Sequence, residues 1–184
     1  MDRSLIVNRR TGQRMRFDDP GGGDHPLATA QRQILRIECW SPPSDEREPN
    51  HTHPEQVSGF EIISGELAFW VDGREFRAGP GETVTVPAAT NHRFWNPTDT
   101  EAHYVGTFTP ALDTRGFFQV LFRLANEGKL GEGGMPKPLH LPVLFRAFGR
   151  EIRPTSPPWP VTRLAIAALA PVAALRGYRD PADL

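Results

Sequence analysis

The chain has 184 residues, 38% of them hydrophobic, which suits one domain of ordinary size with room for an appendage. Its 21 basic and 22 acidic residues give a formal charge of −1, which excludes the strongly basic surface typical of nucleic-acid-binding proteins. One cysteine, Cys39, excludes an internal disulfide and favours a reducing compartment.

The N-terminal residues lack the apolar core of a signal peptide. The longest apolar run, residues 164–175, is too short to span a bilayer and contains Pro171. We therefore expect a cytoplasmic protein with neither a membrane nor a nucleic-acid partner.

Residues 32–108 have the pattern of short strands separated by glycine and proline turns. Asp72-Gly73 predicts a two-residue hairpin, because glycine accepts the positive φ that such a turn needs. The charged residues 45–48 predict a solvated loop. Many short strands at this spacing are typical of a sandwich or barrel. Candidate strands lie at 34–39, 60–63, 66–71, 74–76, 83–86 and 103–109.

The pattern becomes helical after Pro110. Asp113 is a candidate cap for a helix that ends near residues 126–128, and its apolar face would pack on the chain's own barrel or on a second copy. Residues 139–148 and 161–176 predict two more helices, joined by a rigid linker at 154–160. We therefore divide the chain into a β-barrel domain with N-terminal strands, residues 1–110, and a helical C-terminal extension, residues 111–184.

Three histidines stand out as candidate metal ligands. His51 and His53 are one residue apart, so on a strand their side chains would point to the same face. His92, from a distant strand, could complete a set of nitrogens suited to a divalent transition metal. The remaining histidines have no partner at ligand spacing and are expected to take no part in the site; they are His25, His103 and His140.

These residues resemble the two signature motifs of the cupin superfamily, over residues 39–108. The resemblance implies an all-β fold, the double-stranded β-helix (jelly-roll) barrel, here with a C-terminal helical extension, and often a homodimer. It also implies a metal held by two histidines and a glutamate of the first motif and one histidine of the second. The matching residues are His51-x-His53, Gly65 and then Gly81-x5-Pro87-x-Ala89-x2-His92-x3-Asn96.

The chain departs from the cupin pattern at the glutamate, where it has Ser58. Gln56 has the same strand parity and could offer its carbonyl oxygen instead. The predicted metal site is therefore His51, His53, Gln56 and His92. Because this set carries no charge, it should bind zinc, iron, nickel, manganese or copper more weakly than the usual cupin set.

We expect a small-molecule pocket beside the metal, lined by Ser58, Phe60, Phe69 and Phe94 and suited to an apolar or aromatic ligand. One hypothesis is a metal-dependent oxidoreductase with dioxygenase-type or Lewis-acid chemistry and no assigned protein base. The other is a non-catalytic small-molecule-binding cupin with a degenerate or empty metal site. Catalytic residues stay unassigned, no organic cofactor is expected, and the Asn96 amide is expected to hold a turn.

Overall fold

The computed structural model describes residues 4–18, 34–44, 47–131 and 134–184, so His25 lies outside the described residues. Eleven strands and three helices are present in these segments. The strands are β1 (Leu5–Val7), β2 (Arg14–Phe17), β3 (Leu35–Ser41), β4 (His51–Thr52), β5 (Val57–Ser64), β6 (Leu67–Val71), β7 (Arg74–Ala78), β8 (Thr83–Val86), β9 (His92–Trp95), β10 (Ala102–Thr109) and β11 (Arg153–Pro154). The helices are α1 (Thr114–Asn126), α2 (Leu141–Phe148) and α3 (Trp159–Leu175), followed by a 3₁₀ turn at Pro181–Asp183.

The strands form two antiparallel sheets that enclose the core. One sheet has the order β1-β2-β3-β10-β5-β8, and the other has the order β11-β4-β9-β6-β7. The predicted all-β jelly-roll barrel with C-terminal helices is confirmed. None of the helices in the described residues combines the length and the hydropathy needed to cross a bilayer.

Local sequence explains how the strands are arranged. Along β5 the residues at even positions, Ser58, Phe60 and Ile62, are buried, while their odd-numbered neighbours lie nearer the surface. The predicted hairpin joins β6 to β7, with φ values of 44° at Asp72 and 88° at Gly73. Positive φ at both turn residues matches the twist of the flanking strands.

The molecule has two apolar cores. The larger fills the barrel and includes Phe122 of α1, so the apolar face of this helix packs on the chain's own barrel. The smaller core lies among the helices and the C-terminal residue, and consists of Leu124, Val143, Leu144, Phe148 and Leu184. Asp113 caps α1 as predicted, its Oδ1 accepting a hydrogen bond from the Gly116 amide at 3.2 Å.

The extension also completes the second sheet. β11 pairs with β4, with Arg153 opposite Thr52 and Pro154 opposite His51. The prediction of a linker at 154–160 was therefore wrong at its first residue, because pairing with a distant strand is invisible in the local sequence, and at its last two residues, where α3 already begins. This pairing places the extension directly beside the candidate metal ligands.

Candidate metal centre

The three predicted histidine ligands meet inside the barrel. His51 of β4 lies opposite His92 of β9 in the sheet, and His53 follows β4 by one residue. Ring centroids are 4.5 Å apart for His51 and His92 and 5.1 Å apart for each of the other two pairs. One nitrogen from each ring lies within 4.8 Å of the others, and all three side chains are buried. This spacing allows the three rings to share one ion.

Backbone carbonyls hold each ring in one orientation. The Nδ1 atoms lie 3.0 Å from the Pro49 oxygen for His51, 2.6 Å from the Glu151 oxygen for His53 and 2.9 Å from the Thr90 oxygen for His92. Since a carbonyl can only accept, each Nδ1 carries the proton and each Nε2 keeps its lone pair. This arrangement is typical of metal-ligating histidines.

Burial keeps the rings neutral. Desolvation lowers the pKa of His53 to about 4. The hydrogen bond that its ring donates to the Glu151 carbonyl opposes this effect, and His92 lowers the pKa further. The pKa values of His51 and His92 are also lowered, in both cases mainly by burial. Neutral imidazole is the form that binds metal, so the site is ready for an ion at neutral pH.

The residue at the glutamate position of the cupin pattern and its predicted substitute, Ser58 and Gln56, are both buried. Gln56 and Ser58 are 0% and 1% exposed, whereas Glu55 and Glu61 are exposed, as strand parity predicts. Among the described residues, the Gln56 Oε1, the Ser58 Oγ and the His92 Nε2 have no hydrogen-bond partner although they are buried. Buried acceptors without a partner, one of them a nitrogen of the histidine cluster, fit a bound metal or an ordered water.

Three hydrogen bonds donated by its side-chain amide nitrogen fix the orientation of Gln56. Its Nε2 donates to the carbonyls of Pro110 and Ala111 at 2.7 and 3.1 Å and to the Thr114 Oγ1 at 2.8 Å. The Thr114 hydroxyl donates in turn to the Ala111 carbonyl, so it can only accept from Gln56. The Gln56 Oε1 is therefore the atom left free.

A residue of the C-terminal extension, Glu151, forms hydrogen bonds to one of the histidines and to the start of α1. The Glu151 carbonyl accepts the hydrogen bond from His53. The Glu151 Oε1 accepts a second hydrogen bond, from the Asp113 amide at the start of α1, at 3.0 Å. Glu151 was not among the predicted site residues, because nothing in the local sequence connects it to a histidine 98 positions away.

A cavity of about 260 Å³ opens beside the histidines, between the barrel interior and helices α1 and α2. Of the predicted pocket residues, Phe60 and Phe94 line it. Phe69 packs against Phe60 in the core at 5.1 Å, and Ser58 is buried; neither is among the residues lining the cavity.

Glu48 also lines the cavity, although the sequence predicted a solvated loop there. Burial raises the pKa of its carboxyl to about 7. A charged run flanked by prolines gives no signal that one of its members points inward, because burial of a loop residue depends on the whole fold.

His103 and His140 lie outside the cluster of three histidines, and Asn96 has a structural role at the cavity wall. His103 stacks on Trp40 with centroids 4.9 Å apart, and His140 packs edge-on against Tyr178. The Asn96 amide holds the following turn, accepting from the Thr98 amide at 2.9 Å and donating to the carbonyl of Thr100. The structural role predicted for Asn96 is confirmed.

Comparison with known proteins supports the fold. A family model described as Cupin domain matches residues 40–108. The chain is 31% identical over 106 residues to a quercetin 2,3-dioxygenase of Bacillus subtilis, a match that covers 54% of this chain and 28% of that protein. The chain thus spans little more than a quarter of this curated relative.

Several solved structures resemble the barrel. A sugar phosphate isomerase from a cupin superfamily of Silicibacter pomeroyi is 23% identical, with a TM-score of 0.45 over 55% of this chain and 61% of that chain. KdgF from Halomonas sp. is 13% identical, with a TM-score of 0.48 over 60% and 89% of the two chains. A predicted oxalate decarboxylase of Thermotoga maritima is 16% identical, with a TM-score of 0.45 over 58% and 90%. These likenesses concern the fold alone.

Proposed function

We propose that this chain, which belongs to the cupin superfamily through its residues 40–108, binds a divalent transition metal at its three converging histidines and acts on a small organic molecule in the adjoining cavity. The observation that carries the proposal is the shared orientation of the rings, with every Nδ1 bonded to a carbonyl and the ligand nitrogens within 4.8 Å of one another. A packed core has no need of three buried imidazoles facing one point.

The Gln56 Oε1 would provide a fourth, neutral ligand or hold a water. The three acceptors around its Nε2 explain why an amide stands here, because a carboxylate could not donate to two carbonyls. Such a metal would supply Lewis-acid chemistry, or redox chemistry if iron, copper, nickel or manganese were bound. The chain's own part is to keep the histidines neutral and oriented and to exclude water with the aromatic side chains of the cavity.

A dioxygenase-type reaction is the finer form of the proposal. It is supported by the 31% identity to a relative named as a quercetin 2,3-dioxygenase, a likeness limited to 106 residues. The second candidate is a non-catalytic small-molecule-binding cupin. Ser58 favours this candidate, because without a carboxylate the ligand set holds a metal less firmly.

Metal analysis of protein purified without chelator, and without a nickel affinity step, tests the proposal. We expect close to one ion per chain after reconstitution, and His92→Ala should weaken binding by more than about a hundredfold, beyond the loss typical of an outer-shell change. Occupancy below about a tenth in the reconstituted wild type would contradict the metal site.

A second substitution tests whether the lack of a carboxylate at position 58 weakens metal binding. Ser58→Glu should tighten metal binding by about tenfold or more, because it adds an anionic oxygen on the inward face of β5. Ser64→Glu is the matched control, since Ser64 is exposed on the same strand. Equal affinities for wild type and Ser58→Glu would show that charge at position 58 does not limit binding.

A further inference from the structure

The cavity has two chemically different ends. One end is formed by the histidines, where the rings of His53 and Phe108 lie 5.2 Å apart. At the other end the Tyr104 hydroxyl lies 3.5 Å from the Ser41 hydroxyl. Tyr104 and Phe108 are both buried on β10, four residues apart, so the two ends are separated by about 13 Å along the strand. A ligand that reaches both ends must be elongated.

Glu48 belongs to the end formed by Tyr104. Its carboxylate raises the pKa values of the Cys39 thiol and the Tyr104 hydroxyl. The preceding residue lies at the same end of the cavity: Arg47 stacks over Trp95, and the next residue, Asn96, donates from its Nδ2 to the Ser41 carbonyl at 2.8 Å.

Glu48 has no hydrogen bond or ion pair within the part of the chain that the structure describes. Burial raises the pKa of its carboxyl, and no lysine or arginine of the described residues forms an ion pair with it. The neighbouring Arg47 stacks instead over the ring of Trp95, 4.4 Å from its centroid. An unpaired carboxylate facing a cavity is costly in the free protein, and a ligand that donates a hydrogen bond to it would offset this cost.

The wall between the two ends is apolar and leaves space. Phe60 and Phe94 line it with ring centroids 4.9 Å apart. Gly106, also on the cavity wall, has no side chain, and a Cβ built there would approach nothing closer than the Ile37 oxygen at 3.9 Å. The middle of the cavity can therefore hold the flat, apolar body of a ligand.

We infer that Glu48 is a ligand-recognition residue, and that the cavity takes an elongated aromatic molecule carrying a hydrogen-bond donor, a hydroxyl or a protonated amine, at the end away from the histidines. Molecules with a carboxylate at that end are repelled. This inference rests on the proposed small-molecule site but not on the metal, so it can be tested on chelator-treated protein.

The test measures binding of three naphthalene probes by fluorescence at pH 8. They are 2-naphthol, a neutral donor; 2-naphthylmethylamine, a cationic donor; and 2-methoxynaphthalene, which has no donor. We expect wild type to bind at least one donor probe about tenfold or more tightly than the methyl ether, the range of a hydrogen bond to a charged group. Glu48→Met, similar in length and apolar, should bind all three alike, and Asp99→Asn, which removes an exposed charge, should behave as wild type.

Gly106→Val separates failure of this inference from failure of the site itself. By filling the middle of the cavity it should weaken all three probes, including the ether. If wild type binds the probes equally tightly and only Gly106→Val weakens them, the cavity is a ligand site but the role of Glu48 is wrong. If no probe binds wild type, or if Gly106→Val binds them all as wild type does, both the small-molecule site and the inference fail.

Discussion

Replacing the cavity carboxylate should make the protein more stable, by an amount that grows as the pH rises from about 5 to about 7. In the folded chain burial raises the pKa of Glu48 from an ordinary 4.5 to about 7. Between these values the folded state binds a proton that the unfolded state has lost, so stability falls as pH rises through this window and the full penalty applies above pH 7. Glu48→Gln keeps the size of the side chain and cannot ionise.

The shift in the pKa of Glu48 sets the size of the expected gain in stability. Each unit of pKa corresponds to about 1.4 kcal/mol, which gives an upper value of about 3 kcal/mol at pH 8. Because Glu48 is only partly buried in the cavity wall, solvent reduces this to an expected range of about 1–3 kcal/mol. At pH 5 the folded wild type is protonated at Glu48, and the variant should differ from it by less than about 1 kcal/mol.

Urea unfolding of chelator-treated wild type and Glu48→Gln at pH 5 and pH 8 measures both values, with Asp99→Asn as the control for loss of an exposed charge. Other titrating groups are common to the two proteins and cancel in the difference. Equal stabilities at pH 8, or a gain that is the same at both pH values, would show that the carboxylate is solvated or paired and would refute the reasoning.

Three further predictions concern the site and its scaffold. Gln56→Ala should lower the free energy of unfolding by about 3 kcal/mol, because it removes three hydrogen bonds near the start of α1, among them the bond to the buried Thr114 hydroxyl; urea unfolding measures this, and a loss under about 1 kcal/mol would contradict it. In chelator-treated Glu48→Gln protein, the free energy of unfolding should fall by about 2 kcal/mol from His53 alone as the pH drops from 7 to 5. The reason is that His53 takes up a proton near pH 6.5 in the unfolded state but only near pH 4 in the folded state. A free energy from urea unfolding that does not change with pH would contradict this prediction. Gly65→Ala should destabilise by at least about 2 kcal/mol more than Gly73→Ala in thermal or urea unfolding, since both have positive φ but only a Cβ at 65 would lie 2.7 Å from the backbone at Ala102; equal losses would mean that the clash is relieved.

Local sequence was sufficient wherever neighbouring residues decide the structure. The Asp72-Gly73 hairpin and the Asp113 cap each depend on a few consecutive residues, and both are present as predicted. The period-2 burial along β5 likewise follows from strand geometry and the alternation of side chains.

The three candidate ligand histidines could be predicted only in part from the local sequence. His51 and His53 were linked by their spacing, but their meeting with His92 depends on the pairing of β4 with β9. The motif pattern supplied that long-range information indirectly, through the family resemblance. Without it, spacing would have linked His51 to His53 but neither of them firmly to His92.

What the sequence by itself determined is the type of protein: a cupin barrel, its helical extension and three candidate nitrogen ligands for a metal, all readable from short-range patterns and a motif pair. Only the tertiary structure decided what surrounds them, namely the Glu151 carbonyl on His53, the acceptors that orient Gln56 and the inward turn of Glu48. The reason is physical: burial, desolvation and hydrogen bonding between residues about a hundred positions apart exist only once the chain has closed on itself, and no local pattern encodes them.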